Sequence, residues 1–218
     1  MIPILLVLLA ADPLAGVLAK MDTVSATFKG AKANLKRISH NASVDINTES
    51  SGTMVLKRLP PHDVRTLVHF TEPNDEQAYV GNGIADRYYP KVKTIQEYKI
   101  GGKNQSFFEQ FYLLAFGGSG KDLVANYDVT YVGSEAVGAE KASHLQLVPK
   151  NPGVKKNFTK IDLWVTEANA TPVQLKLSQP SGDTTTFVYS NVQMNPKISD
   201  KDLQLKTAEG VKKVYPDQ

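Results

Sequence analysis

The chain has 218 residues, of which 41% are hydrophobic and 22% charged, with a formal charge of +3 at pH 7 and no cysteine. This composition is typical of a globular protein, and the even spread of the lysines argues against a nucleic-acid-binding patch. Without cysteine, these residues can form no disulfide, thiolate metal site, thiol nucleophile or lipidated N-terminal cysteine.

Residues 1–11 form an uninterrupted apolar run, MIPILLVLLAA. The run is too short to span a bilayer, which needs about 20 residues. It matches the apolar region of a secretory signal that ends in small residues, here Ala10 and Ala11. A buried N-terminal strand is the alternative. We predict an exported protein with a signal segment at residues 1–11. Because no linker-like stretch divides the rest, we predict one domain at residues 12–218.

Asp12 and Pro13 are typical of a helix start, with aspartate as the N-cap and proline at the first helical position. Apolar residues then recur at helical spacing and predict an amphipathic helix that covers an apolar surface. They are Leu14, Val17, Leu18, Met21, Val24 and Phe28. The helical pattern continues weakly through AKANLKRI and breaks near Ser39.

From Ala42 onward the apolar period changes to two, which predicts about eleven strands joined by short turns. The clearest hairpin has QAYV and IADRYY on either side of Gly81-Asn82-Gly83. The segment SSG at residues 50–52 predicts a turn into the strand GTMVLKR. Short turns require antiparallel neighbours, and a sheet of this size either closes into a barrel or is covered by helices.

One segment, NQSFFEQFYLLAFGGSGKDL, interrupts the strands with a helical period and apolar side chains around nearly its whole circumference. A core-filling helix and a lid over a cavity both fit this pattern. We favour the lid, and expect Gly117-Gly118 to end the helix. The following FGGSGKD is not a phosphate-binding loop, because Ala115 takes the place of its first glycine and Asp122 that of its final Ser/Thr.

No motif indicates catalysis. The four histidines lack metal-binding spacing, no GxSxG nucleophile motif occurs, and the carboxylates are scattered. We therefore predict a protein that is not an enzyme and has no metal site and no cofactor.

The strand GTMVLKR places Met54, Leu56 and Arg58 on one face, because strand side chains alternate. If that face is interior, a guanidinium that always keeps its charge lies at the rim of an apolar surface. An ordinary salt bridge on the rim would also explain it.

Four segments occur in an order and at a spacing that resemble the LolA family of periplasmic lipoprotein carriers. They are LAKMDTVSATFKG, SGTMVLKRLPPHDVRTLVHFTEP, YVGNGIADRYYPKVKTIQEY and DLQLKTAEGVKKV. The chain departs from the family pattern where Leu59 precedes Pro60 and where Met54 replaces an aromatic residue. The resemblance implies a mainly β (α+β) fold: an unclosed antiparallel half-barrel of about eleven strands, with helices covering the concave face.

The resemblance also implies a function, that of a carrier in the periplasm of a Gram-negative bacterium. We expect a monomer, because no long flat edge or coiled-coil pattern requires assembly, and no nucleic-acid partner, because the positive charge is small and unclustered. Such a carrier takes an acylated lipoprotein, or another lipid, from an inner-membrane ABC-type releasing complex to an outer-membrane acceptor lipoprotein. The predicted lipid-binding residues are Met54, Leu56, Arg58, Val68, Phe70, Phe107, Phe108, Phe111 and Leu114.

In the LolA family, the arginine before the proline lies inside the cavity and bonds to the lid, and the matching residue here is Arg58. We hypothesise that Arg58 bonds to lid carbonyls when the cavity is empty and loses these bonds when cargo enters. The under-satisfied charge would then favour release. Two other functions stay open: a regulatory or sensor domain that binds a protein partner on the same fold, and, with less support, a secreted hydrolase.

Overall fold

The computed structural model describes residues 12–59, 63–100 and 114–216. The predicted signal segment at residues 1–11 and the predicted lid residues Phe107, Phe108 and Phe111 lie outside the described residues.

The first helix begins where the sequence predicts. The Asp12 side chain accepts a hydrogen bond from the Leu14 amide at 3.0 Å, and Pro13 is the first helical residue. Met21, in the middle of the predicted stripe, is buried. The described helices are α1 (Pro13–Thr27), α2 (Gly120–Asn126) and α3 (Pro152–Lys155), with 3-10 turns at Pro90–Val92 and Asp200–Leu203.

The strands form one twelve-stranded sheet in the order β12-β6-β5-β4-β3-β2-β1-β11-β10-β9-β8-β7. Every pair is antiparallel except β12 with β6, which run parallel. The strands are β1 (Gly30–Asn41), β2 (Ile46–Leu59), β3 (Asp63–Glu72), β4 (Glu76–Gly81), β5 (Ile84–Tyr89), β6 (Thr94–Lys99), β7 (Tyr127–Val137), β8 (Glu140–Pro149), β9 (Lys160–Thr166), β10 (Pro172–Ser178), β11 (Thr184–Met194) and β12 (Lys212–Val214).

The sheet stays unclosed, since β7 forms one edge while β6 lies beside the opposite edge, although the two strands follow each other in the chain. The main core lies on the concave face. There, Met21 of α1 joins inward side chains such as Leu35, Leu56, Leu145 and Leu163 in one cluster. The predicted fold class, an open antiparallel half-barrel with helical cover, is confirmed, with the short β12 as a twelfth strand.

The prediction that the helical pattern continues weakly through AKANLKRI is wrong, because these residues belong to β1. Ala31, Ala33 and Leu35 are all less than 7% exposed, and the lysine and asparagine between them point away from the core. The small alanines make this period of two easy to confuse with a helical one.

The prediction of a turn at SSG is also wrong, since residues 50–52 lie within β2 and the turn falls at residues 42–45. The pairing of β2 with β3 shifts register between Ser51 and Gly52. A Cβ atom on Gly52 would lie 1.9 Å from the His69 carbonyl oxygen. Gly52 therefore permits a close backbone approach at a β-bulge.

The C-terminal segment crosses the convex face from β1 to β6. It is held by an ion pair between Lys32 and Asp202 at 2.8 Å. The Gln77 side chain donates to the Lys206 carbonyl at 3.1 Å and accepts from its amide at 2.8 Å. Hydrogen bonds from Lys32 and Ser199 hold the pKa of Asp202 well below its usual range. Polar contacts therefore hold the C-terminal segment on the convex side.

Replacing Asp86 with asparagine should stabilise the protein at pH 7 and leave its stability unchanged at pH 3. Asp86 is 9% exposed beneath β12, and its burial raises the pKa of its carboxyl, although Lys213 at 3.8 Å opposes this. A carboxyl whose pKa is higher in the folded than in the unfolded protein stabilises the fold at pH values below its unfolded-state pKa. This contribution is lost as the pH rises through its folded-state pKa. We expect a gain of up to about 1 kcal/mol in the free energy of unfolding at pH 7. Urea denaturation at pH 7 and pH 3 measures the free energy of unfolding. A lower free energy of unfolding for Asp86→Asn than for the wild type at pH 7 would contradict the prediction.

Candidate functional site

A cavity of about 300 Å³ lies in the concave face, between the central strands and residues 115–116. Most of its lining is apolar, and the rings of Phe116 and Tyr189 meet edge to face in its wall, with centroids 4.9 Å apart. The lining residues are Leu35, Arg37, Met54, Val68, Phe70, Glu76, Ala78, Arg87, Ala115, Phe116, Leu175, Phe187 and Tyr189.

Strand register explains how distant residues reach this cavity. Met54 of β2 lies opposite Val68 of β3, and Val68 lies opposite Ala78 of β4. On the other side of β2, Gly52 lies opposite Leu35 of β1. Directly paired residues of antiparallel strands point to the same face of the sheet. A row of side chains across β1 to β4 therefore lines one wall.

Three charged residues, Arg37, Glu76 and Arg87, share this apolar lining. Arg87 binds the Glu76 carboxylate with two hydrogen bonds, at 2.6 Å and 3.0 Å. The Glu76 side chain is 15% exposed and that of Arg87 46%, so this pair marks the side of the cavity that reaches solvent. Its hydrogen bonds to Glu76 raise the pKa of Arg87.

Arg37 lacks such a pair. Its guanidinium donates to the Ser50 hydroxyl at 3.1 Å and lies 4.3 Å from the centre of the Phe70 ring. Burial lowers the pKa of Arg37, while the more distant Glu76 raises it. In the part of the chain that the structure describes, no carboxylate forms an ion pair with Arg37. The three charged groups together leave one net positive charge at the cavity.

Arg58 lies at the end of α1, where a second depression of about 710 Å³ opens. Its Nη1 donates to the Ser25 carbonyl of α1 at 3.4 Å, and its amide donates to the Lys29 carbonyl at 2.9 Å. The Ser25 hydroxyl in turn donates to the Gly117 carbonyl at 2.6 Å. The guanidinium therefore contacts a carbonyl of the helix that covers the concave face.

The predicted site residues separate into three groups. Met54, Val68 and Phe70 line the central cavity. Leu56 and Leu114 are buried in the core, 0% and 3% exposed, and line neither space. Arg58 lines the depression at the end of α1 instead.

Sequence reasoning missed the charged residues of the cavity. Arg37 follows Leu35 with a period of two, which is the signal that would have placed it on the lining. It was missed because this stretch was assigned to a helix. Glu76 and Arg87 required the register of β3, β4 and β5, in which Glu76 lies opposite Phe70 and Arg87 opposite Ala78.

The glycines of FGGSGKD have packing roles. Gly117 has a φ of +84°, and a Cβ atom there would lie 2.2 Å from the Phe28 ring. A Cβ atom on Gly120 would lie 2.5 Å from the Leu18 carbonyl oxygen. Ser119 caps α2 by accepting from the Asp122 amide at 3.0 Å. The close approaches of Gly117 and Gly120 join the segment to Phe28 and to α1.

Among the described residues, no group of three or more His, Cys, Asp or Glu side chains has the geometry to hold a metal ion. No helix in the same ranges is long and apolar enough to cross a membrane.

Comparison with protein families gives one match, over residues 62–183, to a model described as "-like: Uncharacterized protein". The match covers more than half of the chain. A search of curated proteins gives no match.

Several solved structures are similar to this chain at low sequence identity. An uncharacterized conserved protein from Thermus thermophilus is 10% identical, with a TM-score of 0.56 over 94% of this chain and 99% of that chain. MucB is 12% identical with a TM-score of 0.53 over 88% of this chain, which spans only 62% of the MucB chain. Pseudomonas aeruginosa MucB has also been solved in complex with MucA. The LolA superfamily protein NE2245 from Nitrosomonas europaea is 13% identical, with a TM-score of 0.42 over 89% of this chain and 99% of that chain.

Proposed function

Since the chain belongs to the family whose model matches residues 62–183 and has a LolA-like fold, we propose that it is a periplasmic lipid carrier. In this proposal it binds lipoprotein acyl chains in the central cavity and carries them from the inner to the outer membrane. An inner-membrane ABC-type complex would load it, and an outer-membrane acceptor lipoprotein would receive the cargo. The observation that carries the proposal is the apolar cavity between the open sheet and residues 115–116.

The cavity is small for the proposed cargo. Its volume of about 300 Å³ lies at the lower end of the 300–1,000 Å³ found for ligand pockets. Burying an acyl chain is worth about 0.8 kcal/mol per methylene, so the attraction for cargo is large. Cargo with several chains would need more room, and the depression next to Arg58 at the end of α1 is where α1 could separate from the sheet.

Filling the cavity provides the test. Replacing Ala78 with tryptophan should weaken acyl-chain binding at least fivefold, because the indole would occupy much of the 300 Å³ between Val68 and Arg87. Palmitate displacement of a neutral apolar fluorescent probe measures the affinity. Ala136→Trp is the matched control, since Ala136 is exposed on β7. Unchanged palmitate affinity in a folded Ala78→Trp variant would contradict binding in this cavity.

A second candidate is a regulatory or sensor domain that binds a protein partner. The shared fold of MucB, which is found in complex with MucA, favours it. Native mass spectrometry of the protein purified from its own periplasm separates the two functions. Bound lipid or acylated protein supports the carrier. A stoichiometric protein partner without an acyl group supports the regulator.

A further inference from the structure

The cavity carries an unbalanced charge that an apolar ligand alone does not explain. Arg87 and Glu76 neutralise each other through two hydrogen bonds. The charged guanidinium of Arg37 contacts the Ser50 hydroxyl and the face of the Phe70 ring, and neither group carries a compensating charge. A partly buried cation at an apolar surface is costly unless an anion pairs with it. Among the described residues, no carboxylate forms an ion pair with Arg37, and the more distant Glu76 is already bound by Arg87.

The chemistry of this position indicates the missing partner. A guanidinium is planar and presents five donors in a fork that matches a carboxylate or phosphate with two parallel hydrogen bonds. Arg37 uses one donor on Ser50, and its face rests on Phe70. The other donors stay available at the cavity, whose wall continues into Met54, Phe116 and Leu175. A charged head and an apolar chain can therefore be bound side by side.

We propose that Arg37 is an anion-recognition residue that selects amphiphiles with one oxyanion head, a carboxylate or a phosphate, attached to an alkyl chain. The inference rests on the proposed function, because it concerns the same lipid-binding cavity and adds lipids with a free anionic head to the acyl chains that this cavity takes. In the Glu76–Arg87 pair the carboxylate is already bound by Arg87, so it offers less repulsion to an anionic head at Arg37. Arg87 is 46% exposed, so this side of the cavity reaches solvent.

The experiment compares ligands that share a chain and differ in the head. Palmitate, hexadecyl phosphate and hexadecanol each displace a neutral apolar probe from the wild-type protein. We expect the better of the two anions to bind about fivefold more tightly than the alcohol, the effect of one partly exposed ion pair worth about 1 kcal/mol. The anion that binds more tightly identifies the head as carboxylate or phosphate.

Arg37→Gln should remove this preference, so that both anions bind no more tightly than hexadecanol. Lys36→Gln is the matched control. Lys36 is the next residue on the same strand, points to the convex face and pairs with Glu49 at 2.7 Å. Arg37→Lys retains the charge without the fork and should keep part of the preference. It also keeps the test decisive if Arg37→Gln does not fold.

The outcomes distinguish the two proposals. If none of the three ligands binds the wild-type protein, the carrier function fails. If all three bind with equal affinity, the carrier function stands and the role of Arg37 is overturned. If Lys36→Gln removes the preference as fully as Arg37→Gln, a general effect of net charge replaces a site at Arg37, and the inference is again overturned.

Discussion

Replacing Phe116 with alanine is expected to lower the free energy of unfolding by about 3–5 kcal/mol. The side chain is fully buried, and its ring packs against that of Tyr189 with centroids 4.9 Å apart. The substitution removes the ring contact between residue 116 and Tyr189 of β11. Phe116 already borders the 300 Å³ cavity. The space that the substitution creates would therefore stay partly empty, which adds to the loss of stability.

Urea denaturation followed by the fluorescence of Trp164, the sole tryptophan, measures the loss. Tyr215→Ala is the control, because Tyr215 is 44% exposed and its truncation should change stability by less than about 0.5 kcal/mol. Similar losses in the two variants would mean that Phe116 does not anchor this segment to the core.

Local features of the fold could be predicted from sequence because a few neighbouring residues determine them. The N-cap at Asp12 needs only the amide of Leu14. The hairpin at Gly81-Asn82-Gly83 needs positive φ at its centre, and Asn82 and Gly83 have φ of 54° and 72°. Strand parity likewise placed Met54 on the concave face. In each case the pattern is complete within a single segment.

Features that depend on long-range register could not be predicted in this way. β12 pairs with β6 across more than a hundred residues of chain and is only three residues long, so it has no period of its own. The prediction of a turn at residues 50–52 was wrong because Gly52 lies within the pairing of β2 with β3 and does not reverse the chain. For the candidate site, Glu76 and Arg87 were missed although their hairpin was predicted, because their position at the cavity depends on how β4 pairs with β3, which places Glu76 opposite Phe70.

Replacing Arg58 with leucine is expected to slow the release of acyl cargo about tenfold. Arg58 Nη1 donates to the Ser25 carbonyl of α1 at 3.4 Å, a bond that holds α1 against the end of β2 in the empty protein. Hydrogen bonds of a charged group contribute about 1.5–3 kcal/mol, and the length of this one suggests the lower value, which corresponds to about tenfold. Such differences appear mostly in dissociation rates.

Transfer of a fluorescent acyl-chain ligand from the preloaded protein to acceptor vesicles measures the rate. Arg65→Leu is the matched control, because Arg65 points to the convex face and pairs with Asp63 at 2.9 Å. We expect Arg65→Leu to transfer its ligand at the wild-type rate. Equal rates for Arg58→Leu and the wild type would exclude the proposed role of Arg58.

Arg58→Leu is expected to slow release because, in the wild type, cargo must break the bond between Arg58 and the Ser25 carbonyl to enter. Methylene burial alone gives a carrier that binds and does not release, since about 0.8 kcal/mol per methylene accumulates along each chain. The free energy needed to break the bond between Arg58 and the Ser25 carbonyl lowers the affinity for cargo. In the loaded state, Arg58 has lost the Ser25 carbonyl but remains beside the apolar residues Phe28 and Leu59. Leucine at position 58 has no bond to lose, so the loaded state gains stability relative to the empty one.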